Sequence, residues 1–319
     1  MTQPIAIVGA GMAGLACATR LAERGEQVVL FDKGRGPGGR MSARRASVQG
    51  ETVRFDHGAQ YFTARDDRFR KQVQDWQANG IAAPWPAAGE NSWVGTPAMN
   101  APIRAMADSL DVEWGARVEA AKRQDPQTGE GWCVRIGERE LPFERLVIAV
   151  PAEQVSPLLQ GAAPDLAKLA QEARSDPCWA LMLSFAEKLP VSQDVLRSSE
   201  GPISWAARDS AKPGRAEGER WVVHASAEVS REILEVPSQV AEREIRERFF
   251  ALAAAAPVEP IHQAAHRWRF AKVAPAKTAH HAIWDRERGI GLAGDWLVGP
   301  RVEDAWLSGR ALADMIAPG

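Results

Sequence analysis

The sequence predicts an α/β protein of two domains: one with a parallel sheet and a β-meander, and a second, α+β domain with an antiparallel sheet. Three observations support this fold class. A strand, a glycine-rich turn and a helix follow one another at the N-terminus, and a second glycine-bearing strand-to-helix segment lies near the C-terminus. Between them, several short apolar runs alternate with period two, which is typical of antiparallel strands.

Composition and charge exclude several classes of protein. The 319 residues are 45% hydrophobic, which is enough to bury two cores, and the formal net charge of -2 gives no reason to expect a nucleic acid or an anionic membrane as partner. No apolar run reaches the length of a membrane span and no signal-peptide pattern is present, so we expect a cytoplasmic protein. The cysteines, Cys17, Cys133 and Cys178, are widely separated, so we expect buried thiols without a disulfide or a metal site.

The first element is a strand, a tight turn and a helix. Ile5 to Val8 is a short apolar run, and apolar residues then recur at helical spacing. In the G-x-G-x-x-G spacing, Gly9 permits the turn, Gly11 has no side chain to hold off a pyrophosphate, and Gly14 lets the helix pack closely on the strand. The helix N-terminus then faces the phosphates.

A carboxylate follows the second strand. Val28 to Phe31 is a buried run that ends at Asp32, about 20 residues beyond the glycines, where dinucleotide-binding units place the acceptor for the adenosine ribose hydroxyls. An acidic residue there argues against a 2′-phosphate on the nucleotide. The alternative is a glycine-rich structural turn without a ligand. The predicted contacts of this segment are Gly9, Gly11, Met12, Ala13, Gly14, Asp32 and Lys33.

The next loop, 33–44, is rich in glycine and carries the run Gly38-Gly39-Arg40-Met41. This run resembles the second signature of FAD enzymes of the glutathione-reductase type, particularly their amine-oxidase-like and hydroxylase-like branch. The resemblance implies that Gly38, Gly39 and Arg40 lie along the pyrophosphate and flavin of FAD, and Met41 is a further predicted cofactor contact. The alternative interpretation is a solvated basic hairpin.

Residues 55–63 read as a strand-like stretch, in which Gly58 allows close backbone approach. Its position suggests a face of the isoalloxazine ring, with Ala59, Gln60 and Tyr61 as predicted cofactor contacts. His57 is a candidate acid or base, but a histidine hydrogen-bonded to the loop backbone is the favoured interpretation. Tyr61, the only tyrosine, is either an aromatic wall or a packing residue.

The middle of the first half alternates helices and short strands. We expect an amphipathic helix over 66–79, a long loop between domains over 80–97, and a helix over 99–110. A four-stranded meander is predicted from 112–114, 117–123, 132–136 and 141–143, with turns at Asp125-Pro126 and Gly129, before the strand 145–150. The family resemblance implies that this meander covers the adenine and that Val118 contributes its main chain to it.

Residues 156–277 have no glycine fingerprint and are predicted to form the substrate domain. We expect helices over 152–159, 164–174 and 237–255, and strands over 178–185, 203–208, 220–226 and 262–273. An antiparallel sheet with helices on one face is the natural interpretation. Along 221–226, alternation assigns Trp221, Val223 and Ala225 to one face and Val222, His224 and Ser226 to the other.

The last segment decides the predicted cofactor. A strand ends at Gly294-Asp295, and a helix begins near Val302 and runs to Met315. This resembles the C-terminal motif of the FAD family, in which the helix N-terminus points at the flavin pyrimidine and would stabilise negative charge there. The resemblance therefore implies a Rossmann-type domain with non-covalent FAD, since no cysteine lies near this motif. The implied contacts are Gly294, Asp295, Trp296, Val302 and Ala305.

Four segments together resemble the bacterial renalase-like proteins: 38–40, 56–60, 266–270 and 294–305. The resemblance covers nearly all the chain, although its outer motifs are shared by many flavoproteins. It implies oxidation of the 2- and 6-dihydro isomers of NAD(P)H to NAD(P)+, with electrons passed to O2 and peroxide released. Asp304 stands where the family pattern has glycine, so we expect altered packing near the flavin.

This chemistry is compatible with what the sequence lacks. Dihydropyridines lose hydride readily because aromaticity returns, so the protein need only stack the ring about 3–3.5 Å from the flavin nitrogen N5. No general base is required, and no paired-carboxylate or nucleophile pattern is visible. The candidate pocket residues are Trp205 or Trp296 as a stacking wall, His224 and His266 as hydrogen-bond donors, and Arg267 or Arg269 as an anion contact. The alternatives are a satisfied sheet histidine for His224 and a solvated strand face for the two arginines.

Two other function classes remain open. One is an FAD-dependent amine oxidase or desaturase acting on a small hydrophobic substrate, and the other is a non-catalytic protein stabilised by FAD. The predicted partners are a dihydropyridine nucleotide and O2, with a monomer or homodimer as the assembly. The predicted FAD-binding domain comprises 1–65, 98–155 and 278–319, and the substrate domain comprises 66–97 and 156–277.

Overall fold

The computed structural model describes residues 3–124, 131–276, 278 and 280–317, so the turn predicted at 125–130 and the domain boundary at Lys277 lie outside the described residues. The chain divides into two compact units. The first unit comprises residues 1–39, 103–175 and 273–319, and the second comprises 40–102 and 176–272. This division follows packing and not contact with a cofactor, so the two functional domains stay a prediction.

The described strands of the first half are β1 (Ile5–Val8), β2 (Val28–Asp32), β3 (Arg44–Val48), β4 (Glu51–Phe55), β5 (Phe62–Thr63), β6 (Ala82–Pro84), β7 (Ser92–Gly95), β8 (Val112–Trp114), β9 (Ala120–Arg123), β10 (Trp132–Ile136), β11 (Arg139–Phe143) and β12 (Leu146–Ile148). Those of the second half are β13 (Arg174–Phe185), β14 (Val195–Arg197), β15 (Ile203–Arg208), β16 (Glu219–Ala225), β17 (His262–Ala274), β18 (Ile283–Asp285) and β19 (Ile290–Leu292).

The described helices are α1 (Met12–Glu23), α2 (Asp67–Ala78), α3 (Ala101–Ala107), α4 (Ala152–Leu159), α5 (Pro164–Ala170), α6 (Ala227–Glu232), α7 (Ser238–Ala253) and α8 (Val302–Ile316). Short 3₁₀ turns lie at Gly39–Met41, Pro86–Ala88, Asp209–Ala211 and Asp295–Leu297. Within the described residues, no helix combines the length and the apolar character that crossing a membrane requires.

The first unit is built on a six-stranded sheet in the order β18-β19-β12-β1-β2-β8. All its neighbouring strands are parallel except the edge pair β18 and β19. Helices α1 and α8 pack against each other, and the packing is close because a Cβ added to Gly309 would lie 2.1 Å from the carbonyl oxygen of Ala13. A separate antiparallel sheet, β11-β10-β9, forms the meander.

The second unit is built on a five-stranded sheet in the order β14-β15-β16-β13-β17. Trp221 and Val223 of β16 and Ile245 and Phe249 of α7 belong to one buried apolar cluster, so α7 covers one face of this sheet. Val222, from the alternate face, packs with Met182 and Phe55 instead. The predicted alternation along β16 is therefore confirmed.

The predicted fold class is confirmed, but four local predictions are wrong. Residues 80–97 are not a long loop, because they contain β6 and β7, and β7 pairs with both β5 and β6 in a small antiparallel sheet. Strand β8 joins the parallel sheet beside β2 and not the meander. Helix α5 ends at Ala170 and strand β13 begins at Arg174, where a helix was expected. Between Phe55 and Phe62 the backbone leaves the sheet, so 55–63 is not one strand.

Candidate cofactor and substrate sites

The turn between β1 and α1 is made of glycines that differ in what surrounds them. Gly9 has a φ of +102°, in the region that favours glycine, and a Cβ added to Gly14 would lie 1.9 Å from the carbonyl oxygen of Gly9. By contrast, no atom of the described residues lies within 4 Å of a Cβ added to Gly11. The fold itself therefore requires Gly9 and Gly14, whereas Gly11 borders open space.

The N-terminus of α1 opens onto that space. Gly11 is the N-cap residue and no side chain caps the helix, so the first-turn N–H groups are available to an anion. Met12 and Ala13, both buried, begin this turn. Gly39, with a φ of +53°, adjoins the turn, since a Cβ added to it would lie 3.9 Å from the Cα of Gly11. The two glycine-rich stretches thus lie side by side at one helix terminus.

Asp32 is fixed by the backbone on both carboxylate oxygens. Its Oδ2 accepts the N–H of Ala10 at 2.8 Å, and its Oδ1 accepts the N–H of Gly34 at 2.7 Å. Each carboxylate oxygen can accept a further hydrogen bond, so Asp32 retains capacity for a ribose hydroxyl. The neighbouring Lys33 donates from Nζ to Oε1 of Gln154 at 2.8 Å, and burial lowers the pKa of Lys33. Val118 is half-buried against the core of the first unit.

The C-terminal motif contains an unsatisfied donor. The N–H of Gly294 donates to Oγ of Ser308 at 2.8 Å, and a Cβ added to Gly294 would lie 2.5 Å from the indole ring of Trp296. Trp296 is 1% exposed, and its indole N–H has no acceptor among the described residues. A buried donor without a partner costs free energy, so an acceptor from a bound group would satisfy it. Asp295 is also buried.

Asp304 has a structural role that accounts for the departure from the family pattern. It lies in the first turn of α8, where its carboxylate accepts the backbone N–H of Arg301 at 3.1 Å and pairs with the Arg301 guanidinium at 2.7 Å. A Cβ added to Gly299 would lie 2.7 Å from Oδ2 of Asp304. Asp304 and the buried Glu303 place two carboxylates in this turn, so they offset the positive end of the helix next to Val302 and Ala305.

These features of the first unit fit FAD. The open space beside Gly11, the uncapped helix and the remaining capacity of Asp32 match a pyrophosphate and a ribose, and the Trp296 N–H offers a donor. Gly38 to Met41 continue from the same stretch. In the second unit, Arg40 accepts the N–H of Ala59 on its carbonyl oxygen at 2.8 Å, and a Cβ added to Gly58 would lie 2.1 Å from that oxygen.

The second unit carries a row of side chains across one face of the five-stranded sheet. Arg197 of β14 is registered opposite Trp205 of β15, and Trp205 is registered opposite His224 of β16. Directly paired residues of adjacent strands lie on the same face, and this face is opposite the one covered by α7. His224 continues the row to Ala180 of β13.

Three histidines and a tryptophan cluster on this face. The ring of His57 lies 4.7 Å from that of His266 and 5.1 Å from that of Trp268, whose indole N–H donates to the carbonyl oxygen of His57 at 2.8 Å. Nε2 of Gln60 lies 3.4 Å from Nε2 of His224. We call His57, His224, His266 and Trp268 the histidine face.

The histidines of this face are neutral near pH 7. Burial, with the charges of Arg44 and the neighbouring His266, lowers the pKa of His57 to about 3. Burial, with the charge of Lys212, lowers the pKa of His224 to about 4. Burial and Arg44 also lower the pKa of His266. The lowered pKa values make these imidazoles weaker proton acceptors than an exposed histidine.

A buried ionic cluster supports the loop beside the histidine face. Nζ of Lys212 lies 2.7 Å from Asp209 and 3.3 Å from Asp56, and it donates to Oε1 of Gln60 at 3.2 Å. Arg215 also pairs with Asp56, so two acids face two bases. Burial raises the pKa of Asp209, whereas for Asp56 the charges of Lys212 and Arg215 outweigh burial and lower its pKa. We call Asp56, Asp209, Lys212 and Arg215 the ionic cluster.

Tyr61 and Trp205 stack on each other in the second unit. Their ring centroids are 5.2 Å apart, and the guanidinium of Arg197 lies 4.6 Å from the Trp205 ring and 5.6 Å from the Tyr61 ring. Trp205 is only 9% exposed, and its indole N–H has no acceptor among the described residues. Little of the Trp205 ring is therefore open as a wall for a flat substrate.

The two arginines predicted as anion contacts lie elsewhere. Arg267 and Arg269 alternate with His266 and Trp268 along β17, so they occupy the opposite face of that strand. Both pair with the exposed carboxylate of Glu235, Arg267 at 3.0 Å and Arg269 at 2.6 Å. The structure thus brings His224 and His266 into the same sheet face as Trp205, but it does not bring these arginines there.

Sequence reasoning missed the ionic cluster and Arg197. Asp56 and Lys212 are 156 residues apart, so no local pattern could have paired them. Arg197 lies opposite Trp205 only through the register of β14 and β15, which the sequence does not specify. The alternation that moves Arg267 and Arg269 to the other face was visible in the sequence.

Family models match both parts of the chain. A model of the NAD(P)-binding Rossmann-like domain matches residues 7–76, and a model described as flavin-containing amine oxidoreductase matches residues 87–317. The chain belongs to the flavin-containing amine oxidoreductase family. As a member of this flavoprotein family, it is an FAD-dependent oxidoreductase.

Solved structures share the fold of this flavoprotein. A triple mutant of putrescine oxidase aligns over 100% of this chain and 99% of its own with a TM-score of 0.70 and 14% identity. Cyclohexylamine oxidase from Brevibacterium oxydans aligns over 99% of both chains with a TM-score of 0.67 and 13% identity. At this level of identity the similarity concerns the fold.

Curated relatives match only short segments of the flavoprotein. A 4,4′-diapophytoene desaturase from Staphylococcus haemolyticus is 60% identical over 38 residues, which are 12% of this chain and 8% of the relative. A hydroxyneurosporene desaturase from Rubrivivax gelatinosus is 47% identical over 64 residues, which are 20% of this chain and 11% of the relative. The matched segments thus span about a tenth of these relatives' lengths.

Proposed function

We propose that this flavoprotein oxidises the 2- and 6-dihydro isomers of NAD(P)H to NAD(P)+, as the renalase-like resemblance implies. FAD, when bound, supplies the hydride acceptor and passes two electrons to O2, which gives hydrogen peroxide. The chain's own residues bind and orient the dihydropyridine. A cytoplasmic location and a monomeric or homodimeric assembly remain predictions.

The observation that supports the proposal is the weak basicity of the described side chains of the histidine face, which are buried beside paired acids. His57 and His224 have pKa values of about 3 and 4, and the nearby acids Asp56 and Asp209 are engaged by Lys212 and Arg215. A dihydropyridine becomes a pyridinium by losing a hydride alone. Oxidation of a protonated amine also requires loss of a proton from nitrogen, and desaturation requires loss of a proton from carbon. A face that offers only weak bases therefore favours the dihydropyridine.

In this proposal the residues of the histidine face act by contact and orientation. The indole of Trp268 offers an apolar surface, and neutral His224 and His266 offer a ring N–H to a carboxamide oxygen. Gln60, held by Lys212 at 3.2 Å, lies against His224 and limits its rotation. Correct placement of the ring is the main contribution expected of the protein, because the donor is already reactive.

The second candidate is an amine oxidase or desaturase. The family description, together with the amine oxidases that share its fold and the desaturases that match short segments, supports it. Under this alternative, rate would rise with pH as the substrate amine loses its proton.

Anaerobic stopped-flow spectroscopy tests the proposal. The oxidised holoenzyme is mixed separately with 2-, 4- and 6-dihydro-NAD, and the visible flavin absorbance is followed. We expect fast bleaching by the 2- and 6-dihydro isomers, with the ordinary 4-dihydro isomer as the matched control. Fast bleaching by the 4-dihydro form alone, or only by an amine such as putrescine, would contradict the proposal. If none of these compounds bleaches the flavin, the result would favour a protein that holds FAD without catalysis.

A further inference from the structure

We propose that Arg197 and the indole N–H of Trp205 form a subsite for an anionic oxygen-bearing group, specifically a phosphate of the substrate. The identity of the ligand rests on the proposed function, because the phosphate would belong to a dihydropyridine nucleotide. That phosphate would lie on the β14 side of the sheet. Its anion-binding chemistry does not depend on which substrate is oxidised.

Arg197 is a cation held in place with its charge uncompensated. Its guanidinium donates to the carbonyl oxygen of Ala88 and lies over the rings of Trp205 and Tyr61. The residue is exposed, and its contacts among the described residues are with a carbonyl oxygen and two aromatic rings and not with a carboxylate. A guanidinium has five N–H donors in a planar fork, so one bond to a carbonyl oxygen leaves donors for a phosphate.

Trp205 supplies the second, independent observation. Its side chain is more than nine-tenths buried, yet its indole N–H finds no acceptor among the described residues. Indole N–H is a donor only, and a buried donor left without a partner is destabilising. An oxygen brought by a ligand would satisfy it. Because Trp205 and Arg197 are directly registered across β14 and β15, one ligand group could contact both.

Four other cations of the second unit are already paired with carboxylates. Lys212 and Arg215 are neutralised by Asp56 and Asp209 inside the ionic cluster. Arg267 and Arg269 lie on the opposite face of β17 and pair with Glu235. Arg44, on the β3–β4 hairpin, has a charge that lowers the pKa of His57 and His266. The effect of Arg44 on anion binding is therefore the one to compare with that of Arg197.

Binding of inorganic pyrophosphate to the FAD-loaded holoenzyme tests the subsite, with tryptophan fluorescence as the readout. We expect Arg197→Met to raise the dissociation constant about tenfold or more, because a charge-assisted bidentate contact is lost. Trp205→Phe keeps an aromatic side chain but removes the N–H, so it should raise the dissociation constant by a smaller factor. Arg54→Met, which removes an exposed charge on β4, is the matched control and should leave the constant unchanged. FAD content and circular dichroism establish that each variant is folded.

A second measurement links the subsite to the substrate. For 6-dihydro-NAD, Arg197→Met should raise KM while the flavin reduction rate at saturation is retained, because Arg197 binds a remote group. For a phosphate-free N-alkyl-1,6-dihydronicotinamide, the same variant should change neither parameter. Arg197→Lys, which keeps the charge without the fork, should fall between wild type and Arg197→Met.

The outcomes separate this inference from the proposed function. Equal pyrophosphate affinity in wild type and Arg197→Met overturns the subsite, even if dihydropyridines still bleach the flavin. A loss of affinity in Arg44→Met with none in Arg197→Met also overturns it. If no dihydropyridine bleaches the flavin but pyrophosphate affinity still depends on Arg197, the proposed function fails and the subsite stands.

Discussion

The glycine turn of the first unit and the histidine face of the second unit are built in opposite ways. The turn is shaped by backbone atoms, with Gly14 so close to Gly9 that a single added carbon would lie 1.9 Å from a carbonyl oxygen. The histidine face is shaped by side chains from β16, β17 and the segment between β4 and β5, and it is supported by an ionic cluster of four buried charges. The glycine turn is therefore sensitive to added side-chain volume, and the histidine face is sensitive to the loss of a charge in the ionic cluster.

This difference predicts how each region fails. A substitution in the turn either collides with backbone or fills open space, so its effect depends on the position and hardly on the chemistry of the added atoms. A substitution in the ionic cluster leaves a partner charge buried, so its effect depends on which charge is removed.

The largest effect is expected from Lys212→Met. Removal of this ammonium leaves Asp209 without its ion pair at 2.7 Å and Gln60 without its donor. Because breaking a buried ion pair is strongly destabilising, we expect a loss of about 3–5 kcal/mol in the free energy of unfolding. Chemical denaturation measures it, with exposed Lys188→Met as the control. Equal stability of the two variants would mean that the cluster does not support the second unit.

A second comparison concerns two glycines three residues apart. Gly14→Ala places a carbon 1.9 Å from the Gly9 carbonyl oxygen, so we expect destabilisation of about 3 kcal/mol and weak FAD retention. Gly11→Ala meets no described atom within 4 Å, so the apoprotein should keep its stability while FAD binds more weakly. Denaturation and FAD content after gel filtration measure the two effects. Full FAD retention by Gly11→Ala would mean that the turn at Gly11 does not contact FAD.

A third prediction concerns the pH dependence of stability. The pKa of His57 is about 3 in the folded protein against a usual value of 6.5, so between these values the unfolded chain binds a proton that the folded chain does not. Stability should therefore fall as pH decreases from 6.5 toward 4, by up to about 1.4 kcal/mol per pH unit for this histidine. His57→Phe should flatten the slope. The free energy of unfolding is measured by chemical denaturation at each pH. If it has the same pH dependence in wild type and His57→Phe, then His57 is not buried as a neutral imidazole.

The same contrast explains how far the sequence predicts the molecule. The glycine turn and Asp32 were predictable because the spacing of nearby residues determines the backbone there. Asp304 was recognised as unusual, but its capping of α8 depends on how Arg301 and Gly299 fold back on it. The pairing of Asp56 with Lys212 depends on chain segments 156 residues apart, and the short strands β5 and β6 are defined by their pairing with β7.

The smallest effect is expected from Arg269→Met, which tests whether the two faces of β17 differ in function. Arg269 is exposed, pairs with exposed Glu235 and alternates with Trp268, so its loss should leave the histidine face intact. We expect KM and the flavin reduction rate for 6-dihydro-NAD to match wild type within error, and Arg267→Met to behave alike. A clear rise in KM for either variant would mean that an anion of the substrate reaches the Glu235 side of the strand. The sheet would then bind substrate on both faces, and Arg197 would lose its distinction as the cation of the histidine face.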